Sequence, residues 1–463
     1  MALGRRKRQH QELWVATTEL PRSPGHPFYK KLNQFLAAAG FDDWLERLCR
    51  PYYAADQGRP GIPPGVYFRM ILVGYFEGIA SQRGIAWRCS DSRSLSEFLG
   101  FGPTETTPDH SSLTRIHQRL PLEVHHQVFQ FVLSIAQAQN LIAGQTVAVD
   151  STTLEANAAM KSIVRKDTGE DWKQYLRRLM QERGLIEDGQ EPTDEDLRRF
   201  DKQRKDKKVP NDEWESPTDP DSRITKMKDG TTHLAYKAEH VVDLKTDLVL
   251  AAEVRPADHS DCDTLVDSVL QAQMNLQAAG SEAQIEEAVA DKGYHKASTL
   301  ELAQSLNLRT YIPEPQRPGR SRWTDKPSEH RQAVYANRRR VRGARSKRLQ
   351  RLRSERCERS FAHVCETGGG RRCWLRGLTK IFKRYLFQVA ARNLGVMLRA
   401  LFGVGTPRSL QGKGGLTCAL VQLVYVVMYS LLGIREGVRG ASRTVLQLTQ
   451  YWAGRRLPKA WPA

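Results

Sequence analysis

Apolar residues recur at helical spacing along much of residues 10–130. Pro63-Pro64 opens one such run, and Pro108-Asp109 introduces another in the way that helix starts commonly read. Ser94-Leu-Ser-Glu97 matches a capping box ahead of Phe98. The first part of the chain is therefore predicted to be all-helical.

This helical region carries several arginines, namely Arg83, Arg88, Arg93 and Arg115. Compact helices with such residues suit a helix-turn-helix reader of DNA. They suit an oligomerisation or packing module equally well, so the pattern leaves both interpretations open.

The pattern changes at Gln145-Thr-Val-Ala-Val-Asp150, a short β-branched run that ends in an acid. A second apolar run, 285–291, also ends in an acid, Asp291, followed by Lys292-Gly293-Tyr294. Each run predicts a core strand with an aspartate at its end. Open α/β sheets place their functional groups at the carboxyl ends of strands, so the two aspartates are candidate site residues.

Further strands are predicted at 231–243 and 247–255, joined as a hairpin, and at 309–313, with helices at 262–278 and 298–306. This order predicts a mixed α/β fold whose sheet is covered by helices on both faces. Residues from about 155 to 225 are dense in mixed charge and indicate an insertion or a mobile arm.

The chain is strongly basic. Lysine and arginine outnumber aspartate and glutamate by 71 to 52 in 463 residues, a formal charge of +19, which favours a polyanionic partner. The segment 317–359 is especially rich in arginine and includes Arg338-Arg339-Arg340. A solvated helix face would explain such a run, but the scarcity of balancing acids favours contact with phosphate.

Cysteines and apolar runs exclude several classes of protein. The seven cysteines contain no Cys-x-x-Cys pair, which argues against a disulfide scaffold or zinc ribbon and favours the cytoplasm. No apolar stretch follows the basic residues 5–8, so a secretory signal is not indicated. Residues 416–434 approach the length of a membrane span but include Gln422, and a buried helix without stable membrane association is the preferred interpretation.

Paired aspartates invite a hard metal ion, because Mg²⁺ prefers oxygen ligands and leaves room for water and substrate phosphate. Two ions a few ångströms apart clamp the attacking and leaving oxygens of a phosphodiester. Taken alone, however, an aspartate after a strand is more often a turn former or helix cap.

Three motifs carry a resemblance to a known family. Val147-Ala-Val-Asp150, Ala288-Val-Ala-Asp291-Lys-Gly-Tyr and Glu358-Arg-Ser-Phe361 resemble the acidic motifs of bacterial insertion-sequence DDE transposases, over roughly residues 60–400. The resemblance implies an RNase H-like mixed sheet flanked by helices and preceded by an all-helical N-terminal domain. It also implies that Asp150, Asp291 and Glu358 are catalytic and hold Mg²⁺ or Mn²⁺, with two ions expected.

The implied activity is cleavage of double-stranded DNA at the inverted repeats of the protein's own element, followed by strand transfer into target DNA. A homodimer on DNA, associated with the bacterial nucleoid, is expected on the same basis. Predicted DNA contacts are Lys292, Tyr294, Arg338, Arg339, Arg340 and Arg353. Among three glutamates in the right stretch, Glu355, Glu358 and Glu366, Glu358 matches best because it precedes Arg-Ser-Phe. Gln350 and Cys365 depart from the Tyr and Lys expected around it.

The predicted domains are 1–135 for DNA-end binding, 140–400 for catalysis and 401–463 as a helical tail. Two alternatives remain: an RNase H-like nuclease that cuts without joining, and a catalytically inactive DNA-binding regulator descended from a transposase. The end sequence, the target preference and the route of second-strand cleavage do not follow from the residues.

Overall fold

The computed structural model describes residues 16, 20 and 25–410, apart from 55–57, 59–60, 188, 190, 205–210, 228–229, 317–322 and 324–326. The basic residues 5–8, the apolar segment 416–434 and most of the predicted tail 401–463 lie outside the described residues. Within the described part of the chain, no helix combines the length and apolar character needed to cross a membrane.

The N-terminal region is helical, as predicted. Its helices are α1 (Pro27–Ala38), α2 (Phe41–Cys49), α3 (Pro64–Glu77), α4 (Gln82–Asp91), α5 (Arg93–Phe98), α6 (His110–Arg119) and α7 (Leu122–Ala138). The α3 helix begins at Pro64, whose fixed φ and missing N–H suit a first turn, and it is almost entirely buried. The α6 helix is capped by Asp109, which accepts a hydrogen bond from the Ser112 N–H at 2.9 Å.

The predicted capping box at Ser94 is wrong. Ser92 caps α5 instead, because its hydroxyl oxygen accepts from the Leu95 N–H at 3.4 Å. Ser94 lies inside the helix, and its Oγ accepts from the His26 N–H at 2.6 Å, which ties α5 to the start of α1. A contact to a residue distant in sequence thus outcompeted the local motif.

The main sheet has six strands: β1 (Thr146–Glu155), β4 (Arg223–Lys226), β5 (Thr232–Asp243), β6 (Val249–Pro256), β7 (Glu287–Val289) and β8 (Arg309–Tyr311). One side of β5 pairs antiparallel with β1, and its other side pairs with β4 and then β6. The β1–β7 and β7–β8 pairs are parallel. This mixed sheet, preceded by helices, is consistent with the RNase H-like core that the resemblance implied.

Helices cover both faces of the sheet. They are α10 (Asp261–Ala278), α11 (Ala297–Ser305), α12 (Ser328–Arg342), α13 (Ala344–Phe361) and α14 (Leu378–Phe402). Neighbouring residues on β5 show the two faces, because side chains alternate along a strand. Glu239 contacts Thr264 of α10, whereas His240 contacts Ser360 of α13 and Tyr385 of α14.

The highly charged segment after β1 is folded where the structure describes it. It forms the short strands β2 (Val164–Arg165) and β3 (Trp214–Glu215) and the helices α8 (Trp172–Glu182) and α9 (Asp194–Gln203). Leu176, Met180 and Leu197 make a small core of their own. The mobile-arm interpretation therefore gives way to a small folded insertion.

The β1 strand is longer than predicted. It does not end at Asp150 but continues to Glu155, because β5 is long enough to pair with it as far as Glu155↔Ala235. On its other side, pairing with β7 stops at Ala148↔Val289. The change of sequence pattern at Asp150 marks the end of the parallel pairing and not the end of the strand.

Candidate functional site

Asp150 and Asp291 lie at matching positions on neighbouring parallel strands. Asp150 is two residues beyond Ala148, and Asp291 is two residues beyond Val289, its partner in the ladder. Adjacent strands run about 4.8 Å apart, so this register brings both residues to one edge of the sheet. The two aspartates that the sequence singled out are thus carried by adjacent strands at the carboxyl end of their pairing.

Asp150 is held by two donors of different kinds. Its Oδ1 accepts from the Ser151 N–H at 2.9 Å, and its Oδ2 accepts from Arg353 Nη1 at 2.7 Å. Both side chains retain some exposure, 22% for Asp150 and 16% for Arg353. A guanidinium therefore neutralises the carboxylate at a position that solvent still reaches.

The placement of Arg353 follows from how α13 docks on the sheet. Gln350, one turn earlier, donates through Nε2 to the carbonyl oxygens of Ala290 and Tyr311, at 3.0 and 2.7 Å. Its Oε1 accepts from Arg353 Nε at 3.1 Å. Gln350, which departs from the family pattern, therefore anchors α13 at the ends of β7 and β8 and orients the arginine.

Asp291 begins a single 3₁₀ turn, Lys292–Tyr294. Its Oδ1 accepts from the Gly293 N–H at 2.8 Å. A Cβ on Gly293 would lie 3.0 Å from Asp291 Oδ1 and 3.4 Å from Asp261 Oδ2. A side chain at this position would therefore crowd two carboxylates, which explains the glycine.

Glu358 and Glu355 lie on α13 and are both exposed, but they have different neighbours. Glu358 Oε1 accepts from Ser354 Oγ at 2.7 Å. Glu355 accepts from Arg359, whose Nη1 also lies 3.4 Å from Asp247 Oδ2 in the β5–β6 turn. That turn lies at the amino end of β1. Glu355 is therefore on the side of α13 that faces this turn and not Asp150.

Glu366 follows α13 in a π-helical turn, Ala362–Thr367. It pairs with Arg371 at 2.8 Å, and Arg371 Nη1 donates to Thr152 Oγ1 and to the Thr153 carbonyl. Glu366 is therefore engaged beside the far end of β1.

Carboxylate oxygens are the donors that a hard divalent cation prefers, so Asp150 and Asp291 suit Mg²⁺ or Mn²⁺. Among the residues that the structure describes, however, no three His, Cys, Asp or Glu side chains stand close enough together to hold a metal ion. Cys357, Cys365 and Cys373 are buried, and none of these three is part of a disulfide. The two aspartates are thus donors of the kind that the implied metal prefers.

Comparison with protein families shows which family the chain belongs to. Residues 144–394, more than half of the chain, match the family described as Transposase DDE domain. The chain belongs to the DDE transposase family. Residues 19–119 match a second family, described as Transposase domain (DUF772). Searches of curated proteins and of solved structures gave no match.

Membership makes the protein an enzyme of DNA cleavage and strand transfer. The DDE family generally uses a divalent metal, in keeping with the aspartates at the sheet edge. The two matched regions divide the transposase between the N-terminal helices and the sheet, so the helical region is itself part of a transposase architecture.

Three arginines predicted to contact DNA have acceptors inside the transposase. Arg338 makes two hydrogen bonds to Glu314, at 2.7 and 2.9 Å, and Arg340 Nε donates to the Thr310 carbonyl at 2.9 Å. Arg353 holds Asp150. Exposed positions are found for two of the other predicted contacts, Lys292 and Arg339.

Tyr294 does not lie at the surface, as a DNA contact would require. It is 1% exposed, and its hydroxyl donates to Glu239 Oε2 at 2.9 Å. Burial, and then the charge of Glu239, hold the pKa of Tyr294 well above its ordinary value, so it stays a hydroxyl at neutral pH. The predicted direct contact with DNA is not supported, and Tyr294 is instead an internal residue of the site.

Sequence reasoning missed Asp261. Its Oδ1 accepts from Ser151 Oγ at 2.7 Å and pairs with Lys237, and its Oδ2 lies near Gly293. A usable signal was present, because Asp261 follows β6, which runs in the same direction as β1, and begins α10. The signal was weaker than for Asp150 and Asp291, because Asp261 stands five residues beyond Pro256, the last residue of β6.

Proposed function

We propose that this transposase binds the terminal inverted repeats of an insertion sequence, cleaves them in a metal-dependent reaction and transfers the ends into target DNA. Asp150, Asp291 and Glu358 are the proposed ligands of Mg²⁺ or Mn²⁺, with two ions in the active complex. The observation that carries the proposal is the matching register of Asp150 and Asp291 at one edge of the sheet, with α13 docked across it.

The choice of Glu358 as third ligand rests on the contacts of α13. Gln350 and Ser354 lie on the same side of the helix as Glu358, and Gln350 contacts the ends of β7 and β8. Glu355 is drawn toward Asp247 through Arg359. A change of rotamer at Glu358, or a small movement of α13, is the step that we expect to complete the ligand set.

Arg353 has a specific part in this scheme. Asp150 would hold a divalent cation in place of the guanidinium that it now contacts, and Arg353 would then be available to bind a phosphate of the DNA. Lys292 is exposed beside Asp291, which supports a contact with the same DNA backbone. The chemistry that a pair of divalent ions supplies is activation of the attacking water or 3′-hydroxyl and stabilisation of the leaving oxygen.

The helical region, 1–135, is proposed to bind the DNA ends, and 140–400 to carry the catalysis, in a homodimer that holds two ends together. Arg83, Arg88, Arg93 and Arg115 are all exposed on α4, α5 and α6, which supports contact with DNA phosphates. Cleavage and joining both proceed by in-line displacement without a covalent protein intermediate.

The test is cleavage and joining of labelled DNA from the end of the element that encodes the protein, with Mg²⁺ or Mn²⁺. Purified full-length wild type is compared with Asp150→Ala, Asp291→Ala and Glu358→Ala, and with Glu355→Ala as the matched control on the same helix. We expect the first three to lose about a thousandfold or more in cleavage while retaining DNA binding, and Glu355→Ala to stay within about threefold of wild type.

Each other outcome favours a different conclusion. Cleavage without joining favours the simple nuclease, and binding without cleavage in either metal favours the inactive regulator. Activity that survives Glu358→Ala but not Glu355→Ala or Glu366→Ala moves the third ligand to that glutamate.

A further inference from the structure

A buried glutamate lies on β5, beside the part of β1 that carries Asp150. Glu239 on β5 is 2% exposed and is paired across the strands with Ser151, the residue after Asp150. Its carboxylate accepts from Thr264 Oγ1 at 2.8 Å, from Ser268 Oγ and from Arg255 Nη1 at 3.4 Å. Burying a carboxylate is costly unless donors compensate for lost water, so these contacts fix Glu239 in place.

Tyr294 connects this fixed point to the second acidic motif. Its hydroxyl donates to Glu239 Oε2 at 2.9 Å, across 55 positions of sequence. Tyr294 ends the 3₁₀ turn that Asp291 begins, and the backbone hydrogen bonds of this turn are long, 3.3 Å from the Tyr294 N–H to the Asp291 carbonyl. The tyrosine side chain therefore ties this turn to β5 through a hydrogen bond shorter than those of the turn's own backbone.

Ser151 connects the same network to the first acidic motif. Its hydroxyl donates to Asp261 Oδ1 at 2.7 Å, and Asp261 shares the first turn of α10 with Thr264, which donates to Glu239. Asp261 in turn pairs with Lys237 of β5. The segments that carry Asp150 and Asp291 are therefore held to one another through a set of polar side chains that is buried at Glu239 and Tyr294 and partly exposed at Asp261.

We propose that Tyr294 and Glu239 are positioning residues, which hold Asp291 at a fixed separation from Asp150 before metal and DNA bind. Two neighbouring carboxylates repel each other, and without a restraint the three-residue turn relaxes away from β1. A site whose ligands are already placed does not pay for their ordering when the ion arrives. This inference rests on the proposed role of the two aspartates as metal ligands.

A matched control lies in the same sheet. The Tyr311 hydroxyl donates to Glu287 Oε1 at 3.0 Å, and both residues are buried, as Tyr294 and Glu239 are. Glu287, however, begins β7, at the end opposite to Asp291. Tyr311→Phe removes the same kind of hydrogen bond from the same core without touching the acidic turn, so it measures the purely structural contribution.

The experiment measures Mn²⁺ affinity by electron paramagnetic resonance, with full-length wild type, Tyr294→Phe and Tyr311→Phe, and records the thermal midpoint of each. We expect Tyr294→Phe to raise the Mn²⁺ dissociation constant about ten- to a hundredfold, as loss of an outer-shell partner does. Tyr311→Phe is expected to stay within about twofold of wild type, although both variants lower the thermal midpoint by similar amounts. Equal Mn²⁺ affinities for the two variants would overturn the proposal.

Two further variants keep the outcomes distinct. Glu239→Gln retains an acceptor for the Tyr294 hydroxyl and is expected to bind Mn²⁺ with an affinity between those of wild type and Tyr294→Phe; affinity below that of Tyr294→Phe would count against the hydrogen bond as the cause. Wild-type binding that is unaffected by Asp150→Ala and Asp291→Ala would refute the proposed metal ligands and this inference with them. Binding that needs both aspartates but ignores Tyr294→Phe would refute the positioning role alone.

Discussion

The α13 helix delivers two arginines to carboxylates on the sheet, and the two pairs differ in how completely the acid is satisfied. Arg345 pairs with Glu287 at 2.6 Å, and Glu287, only 6% exposed, also accepts from Thr146 Oγ1 at 2.7 Å and from the Tyr311 hydroxyl. Arg353 pairs with Asp150, which is 22% exposed.

Burial alone would raise the pKa of Glu287, but hydrogen bonds from Arg345, Thr146 and Tyr311 outweigh it and keep that pKa below its ordinary value. Glu287 is thus closed off at the amino end of β7 and serves the fold. Asp150 is nearer to solvent and pairs with Arg353, and under the proposed function a cation would replace this arginine. The same residue types on one helix thus make a buried pair at one end of the sheet and a solvent-accessible pair at the other.

Replacing Asp150 and Glu287 by their amides gives the largest expected difference in DNA cleavage. Asp150→Asn is expected to reduce DNA cleavage about a thousandfold or more, whereas Glu287→Gln leaves cleavage within about threefold of wild type. Glu287→Gln instead lowers the free energy of unfolding by about 1–3 kcal/mol, because charge-assisted hydrogen bonds are lost. Cleavage assays and urea denaturation measure the two effects.

The stability difference has a defined pH dependence. The pKa of Glu287 is lowered on folding, so its stabilisation is present above the ordinary carboxyl range and disappears as the pH falls through the folded value. The free energies of unfolding of wild type and Glu287→Gln should become equal at acid pH. A difference that persisted there would show that the charge of Glu287 is not its source.

A third carboxylate, Glu253, has its pKa raised because the effect of burial exceeds that of the nearby positive charge. It lies on β6 opposite Glu239, and burial raises its pKa to about 7. The folded state therefore holds this proton more tightly than the unfolded state, so wild-type stability should fall as the pH rises from about 4.5 to about 7. Glu253→Gln is expected to be more stable than wild type by about 1–3 kcal/mol at pH 8, with no difference at pH 4.

Denaturation of wild type and Glu253→Gln across this pH range checks whether stability falls as the pH rises. Arg255→Gln is a useful companion, because the positive charge of Arg255 opposes the shift. Its removal should move the fall in stability to higher pH. A wild-type profile that is flat between pH 4.5 and 7 contradicts the assignment.

Exchanging the arginines gives the smallest expected effect. Arg353→Gln removes the cation that competes at Asp150, so the Mg²⁺ concentration for half-maximal cleavage should fall about two- to tenfold, while the maximal rate also falls because a phosphate contact is lost. Arg345→Gln, eight residues earlier on α13, should leave the metal requirement unchanged. A Mg²⁺ titration of cleavage separates the two variants, and equal requirements would mean that Arg353 does not compete with metal.

Much of the fold followed from local patterns. Pro64 and Asp109 begin helices for reasons that lie within one turn of chain, and the hairpin of β5 and β6 and the helix α10 appear close to their predicted bounds. The Ser94 prediction failed because a partner far along the chain, His26, took the hydroxyl that the motif assigned to a cap. Local rules thus held wherever no distant residue competed.

Predictions for the site divide in the same way. Asp150 and Asp291 were found because an apolar run that ends directly in an acid is a local pattern, whereas Asp261 is separated from β6 by four residues and was missed. Arg353 was expected to contact DNA from the family pattern around Glu358, and Tyr294 from its place beside Asp291. Their observed partners, Asp150 and Glu239, are 203 and 55 positions away.

The sequence by itself therefore determined most strands of the main sheet, the helical character of the N-terminal region, the two candidate aspartates and the family, since each depends on residue types at short spacing. Only the tertiary structure decided which cation neutralises Asp150, which acid holds Tyr294 and which side of α13 carries Glu355. Those contacts depend on strand register and helix docking, and a shift of one residue in either places a different side chain on the same carboxylate.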